Sequence, residues 1–266
     1  MNSAVSTFED RFGRLALTAA AFSILVALLA LAGVGWAYVS AQTTGSMTMS
    51  VRVDFESFAI FLATWVVMMA AMMFPSVAPV VLVYAQYSRR QVGAWPLLAT
   101  LFVAGYLMIW GAVGVGAYVL VGLVAPLVGA IPSVQAAPQV FLGAAIGAGG
   151  LYHLTPLKEK CLGHCRSPLH WLIGGFRSGA SGALRMGIEE GVFCVGCCAG
   201  LMLVLLAVGL ASVGWMAAVA AVIFVEKVLA PTAAVAKAIA VLLVGFGIAV
   251  ATIPTIAEFV VGGPPM

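Results

Sequence analysis

Long apolar runs, each close to the ~20 residues that cross a bilayer as a helix, leave this chain few folding options. They cover residues 15–39, 58–84, 96–124, 139–154, 188–211, 213–230 and 233–253. In hydrocarbon a backbone must satisfy its own polar groups, so such runs become membrane helices. Composition agrees: 64% of residues are hydrophobic and 8% charged, against about 25% charge in soluble domains. The expected fold is an all-α, polytopic transmembrane bundle of about seven spans. Residues 1–14 form a polar amino-terminal segment without an obvious cleavage site after the following run, so the first run reads as a retained span. The bundle fills residues 15–253, and 254–266 are a short tail.

Charge placement orients the bundle. With seven spans and the amino terminus inside, Arg11, Arg14, Arg89, Arg90, Lys158, Lys160, Arg166, Arg177, Arg185, Lys227 and Lys237 all face the cytoplasm, and Arg52 alone lies outside. The positive-inside rule therefore predicts a cytoplasmic amino terminus in a bacterial inner (plasma) membrane. No basic patch interleaved with aromatics points to nucleic acid. Within the spans, Trp36 and Tyr38 read as an interfacial belt, Pro75 and Pro79 as kinks in the second span. Gly105, Gly111, Gly114, Gly116, Gly143 and Gly147 read as close helix contacts.

The chemistry gathers in one window. All five cysteines lie between Cys161 and Cys198. Cys161-Leu-Gly-His-Cys165 belongs to a cytoplasmic connection, residues 155–187, whose apolar stretch 169–176 is too short to span. Cys194-Val-Gly-Cys-Cys198 opens the fifth run. Both spacings let one short segment place two donors on one ion. Glu190, Cys194, Cys198 and Met202 are four apart, hence on one helical face, with Cys197 beside them. His153 and His164 are the nearest imidazoles in sequence, whereas His170 reads as interfacial. The metal-ligand candidates are thus Cys161, His164, Cys165, Cys194, Cys197, Cys198, His153 and Glu190. Thiolates and thioethers select Cu(I) and zinc, so Met68, Met69, Met72 and Met73 could line a path inward. Met47 and Met49 are a weaker outer pair. Glu226, costly at membrane depth, calls for a partner or a cavity.

Each feature has a plainer reading. Buried cysteines pack as small hydrophobes, methionines fill gaps, Glu226 and Lys227 form a neighbour pair at a helix end, and Glu190 caps the fifth helix through its dipole.

Taken together, Trp65-Val-Val-Met-Met-Ala-Ala-Met-Met-Phe-Pro75, Tyr152-His-Leu-Thr-Pro-Leu-Lys158, Cys161-Leu-Gly-His-Cys-Arg-Ser-Pro168, Gly187, Gly191, Cys194-Val-Gly-Cys-Cys198, Leu201-Met202 and Glu226-Lys227 resemble the domain-of-unknown-function 2182 family of predicted metal-binding integral membrane proteins. The chain departs from that pattern at Glu189-Glu190, where a basic or histidine pair is expected, and at Ala199, where tryptophan is expected. The resemblance implies a membrane location and a metal site but no reaction. The functional expectation is soft or borderline metal handling, Cu(I) or Zn(II), in transport or homeostasis, with the bilayer, the ion and a metal-donor or acceptor protein as partners. A thiol–disulfide relay, from the Cys194/Cys197 spacing, and a non-catalytic metal-delivery or assembly subunit are the alternatives. The sequence carries no ATP-binding loop, so a self-contained pump is not expected.

Overall fold

The computed structural model describes residues 19–44, 55–91, 94–167, 172, 174–208, 212–229 and 233–262. Arg11, Arg14, Met47, Met49, Arg52 and His170 lie outside them. The described chain is helical: α1 (Ala19–Thr44), α2 (Phe55–Gln91), α3 (Trp95–Gly129), α4 (Pro132–Ala136), α5 (Pro138–Tyr152), α6 (Pro156–Arg166), α7 (Gly179–Val208), α8 (Val213–Phe224) running into a π turn (Val225–Leu229), α9 (Ala233–Thr252) and α10 (Pro254–Gly262).

Five helices, α1, α2, α3, α7 and α9, are long and apolar enough to cross a membrane, and the bent pair α5–α6 makes a sixth if it counts as one span. The protein is an integral membrane helix bundle. A count of seven further requires α8 with its π turn, a shorter rod than the others. In their membrane windows α2 and α7 are 61% and 50% buried, against 22% for α1 and 17% for α9. The first pair is therefore central, while the second shows most of its surface outward.

Local chemistry sets the breaks. Thr155 is extended, with φ −77° and ψ 145°, as the residue before a proline must be. Its hydroxyl accepts from the Lys158 amide, and Pro156 takes the first helical position, where its missing N–H costs nothing. The result is a 61° bend between α5 and α6. Ser212 caps α8 by accepting from the Trp215 amide at 3.4 Å. Pro75 and Pro79 lie inside α2, which continues through both.

Glycines decide which helices touch. α3 packs along α7, and α5 along α9. A Cβ at Gly187 of α7 would collide with the Phe102 carbonyl of α3, and one at Gly143 of α5 with the Gly247 carbonyl of α9. Gly114 is pressed on Trp65, whose indole N–H donates to the Trp110 carbonyl at 2.9 Å. Gly116, expected to make a similar contact, faces open space.

One sequence expectation needs correction. Within the connection, α6 holds Cys161 and Cys165, and α7 begins at Gly179, well before the apolar run. Gly179 has φ +81°, which glycine adopts without a Cβ penalty. Glu190 and the α7 cysteines consequently sit in the middle of a 30-residue helix, not at its mouth. The dipole effect fades within the first turn, so it gives no account of Glu190.

Candidate metal centre

The centre forms where α6 lies across the middle of α7. Cys194, Cys197 and Cys198 project from the covered face of α7, buried, with their sulfurs all within 4.8 Å of one another. Cys197 Sγ is 3.5 Å from Cys198 Sγ, and its thiol donates to the Cys194 carbonyl at 3.1 Å. Cys165 of α6 brings a fourth sulfur to 3.9 Å from Cys197 Sγ. All five cysteines are free thiols and buried.

Gly196 makes this approach possible. A Cβ there would lie 2.5 Å from Cys161 Sγ, so the glycine between Cys194 and Cys197 lets α6 settle against α7. The Tyr152 hydroxyl donates to the Gly196 carbonyl at 2.5 Å and pins the end of α5 to the same spot. Cys161 thus borders the cluster at Gly196, one turn before Cys165 on α6.

The other candidates divide between two neighbourhoods. His164 stacks on Phe193, with ring centroids 3.7 Å apart and planes 15° from parallel, and its Nε2 lies 3.7 Å from Glu190 Oε2. Glu190 is 1% exposed, and its Oε2 has no hydrogen-bond partner among the described residues. His153 faces elsewhere. Its Nδ1 is 2.9 Å from the Gly149 carbonyl, and its Nε2 is 3.6 Å from Glu226 Oε1. Glu226 meets a partner in Lys158, which donates to its two oxygens at 3.0 and 2.8 Å. Arg166 donates from Nε to the Glu226 carbonyl at 2.9 Å. Met68, Met69, Met72 and Met73 are all buried, in the same apolar core as the cysteines.

Lys227 is the residue whose role sequence reasoning missed. It does not pair with its neighbour Glu226; its ammonium donates to Cys194 Sγ at 3.0 Å, and it is 8% exposed. The π turn carrying Glu226 and Lys227 directs these consecutive residues to different partners. Such turns recur at functional sites. The cost rule that singled out Glu226 applies equally to a lysine at membrane depth and gave the available signal. Tyr106 of α3 was also missed: its hydroxyl is 3.0 Å from Cys194 Sγ. A lone tyrosine in a span carries no sequence signal of that kind. Lys158 and Lys227 also alter the charge argument for topology. Both are interior residues engaged by Glu226 and Cys194, not charges displayed to water.

The donor set fits a soft ion. With metal–sulfur bonds of ~2.3 Å, three sulfurs around one ion stand about 4 Å apart, within the spread seen here. A buried ammonium and a phenol each lie 3.0 Å from one of these sulfurs, where they would offset the negative charge of a metal-bound thiolate. Fold and site together define an integral membrane protein with a buried, cation-supported thiol cluster. The family comparison agrees with that class. Residues 62–250 match the model of the PpoB2 family, described as a copper chaperone, and the chain belongs to that family. No curated protein and no solved structure matches it.

Proposed function

We propose that this protein carries Cu(I) within the membrane, taking the ion on Cys194, Cys197 and Cys198 with Cys165 as a further thiolate and releasing it for copper transport or homeostasis. The observation that carries the reading is three buried thiols within 4.8 Å on one face of a membrane helix, one of them bonded to a buried lysine. Sulfur-only donors favour Cu(I) over harder ions. Zn(II), which also accepts four sulfurs, is the competing cargo. His164 and Glu190 stand beside the cluster as an entry or exit pair, and the α2 methionines supply thioethers along a path from the other membrane face. Cys161 borders the cluster at Gly196, and His153 and Glu226 act from the adjoining charge cluster.

In this reading the resemblance to domain-of-unknown-function 2182 describes the same residues. The amino terminus is cytoplasmic, seven spans cross a bacterial inner membrane, and the thiol cluster opens toward the cytoplasm through α6. Delivery to an acceptor protein, without net flux, is the second form of the same function, favoured by the family's description as a copper chaperone.

The test is elemental analysis of protein purified after growth with copper or zinc, beside the Cys194→Ser/Cys198→Ser variant. One Cu(I) per chain in the parent and none in the variant is expected. Equal metal in both would remove the site, and zinc alone would change the cargo. Proteoliposome copper uptake then separates transport from delivery.

A further inference from the structure

A cavity of about 640 Å³ lies along α6 and the start of α9. Its wall uses a different stripe of α6 from the one holding Cys161 and Cys165: Lys158 and Arg166 line it, together with Glu159, and Lys237 faces them from α9. Three cationic side chains thus meet one carboxylate, Glu159, which is exposed. Glu226 compensates Lys158 from behind the wall. Arg166 gives its Nε to the Glu226 carbonyl, while its Nη2 has no hydrogen-bond partner among the described residues. His153, 5% exposed, also lines the cavity, and its Nε2 makes no hydrogen bond among them.

The position narrows the ligand. The cavity lies beside Lys237, at the start of α9, a helix long and apolar enough to cross a membrane. The ends of membrane helices lie at the depth of lipid headgroups. Basic pockets between membrane helices at that depth bind acidic headgroups. Clustered arginine and lysine side chains match the charge and the acceptor oxygens of a phosphate. A long lysine on the outward-facing α9 can follow its apolar stem to that level.

We propose that this cavity is a binding site for a phosphate-bearing anion, held by Arg166 and Lys237 with Lys158 as the buried charge beneath. Either an acidic phospholipid headgroup or free phosphate could supply the group. The site is separate from the thiol cluster and does not depend on the copper reading.

The experiment uses the full-length, metal-free protein in a neutral detergent. Inorganic phosphate is titrated calorimetrically. In parallel, protein in phosphatidylglycerol or phosphatidylcholine nanodiscs is released and its retained lipid weighed by native mass spectrometry. Binding of phosphate, or selective retention of phosphatidylglycerol, is expected, and which occurs identifies the source. Lys237→Gln, a change on an exposed side chain, should weaken that binding about fivefold, the effect of one basic residue near a charged headgroup. Glu159→Gln, also exposed, should strengthen it. No binding of either probe, or binding that Lys237→Gln leaves unchanged, would overturn the proposal.

Discussion

Breaking the Lys158–Glu226 pair measures how far two interior charges depend on each other. The ammonium lies 2.8 and 3.0 Å from the carboxylate oxygens, with the residues 1% and 2% exposed. At that separation and an effective dielectric of ~20, the attraction is about 5–6 kcal/mol before desolvation. Removing both charges from water offsets most of this, so the intact pair adds little net stability. Losing one partner is different, because the other charge stays buried and uncompensated at a cost of about 3–5 kcal/mol. Lys158→Met and Glu226→Gln each strand one charge and should each destabilise the protein by about 3–5 kcal/mol. The double variant Lys158→Met/Glu226→Gln removes both charges and should return to within about 1 kcal/mol of the parent. Thermal unfolding in detergent reads the effect. A loss of 3 kcal/mol corresponds to a drop of roughly 6–12 °C for a chain of this size. A double variant as unstable as the sum of the singles would show that Lys158 and Glu226 are not coupled.

Lys227→Met should lower Cu(I) affinity at least tenfold, measured by competition with a Cu(I) chelator, because the negative charge of metal-loaded Cys194 loses the ammonium that lies 3.0 Å from its sulfur; Lys227→Arg should retain more of it. An unchanged affinity would make Lys227 a bystander. Glu190→Gln should leave the melting temperature of the metal-free protein unchanged or raised, since a buried carboxylate oxygen without a hydrogen bond costs stability, while Cu(I) affinity falls. A lower melting temperature with unaltered metal binding would make Glu190 purely structural. Gly187→Ala should destabilise by about 1–3 kcal/mol through overpacking against the Phe102 carbonyl; a neutral result in thermal unfolding would mean that α3 and α7 are farther apart. A short bifunctional thiol reagent should join Cys165 to Cys197, whose sulfurs are 3.9 Å apart, and no cross-link would separate α6 from the cluster.

Sequence alone determined the class of fold. Hydrocarbon allows no unpaired backbone, so apolar runs of that length had to be helices, and their outlines survive in α1, α2, α3, α7 and α9. It also located the chemistry, because thiols spaced three and four apart on a helix share a face whatever surrounds them. The boundaries of α7 were not legible, since its first two turns are too polar to register as part of an apolar run. That error placed Glu190 at a helix end and suggested a capping role. Only tertiary structure could decide which charges meet. Glu226 and Lys227 are neighbours in sequence, and in a regular helix they point about 100° apart. Their partners, Lys158 and Cys194, come from α6 and α7, which hydropathy cannot bring together. Gly196 shows the same limit. Its lack of a side chain is visible in the sequence, but its consequence, room for Cys161 against α7, exists only once α6 bends back at Thr155 and Pro156.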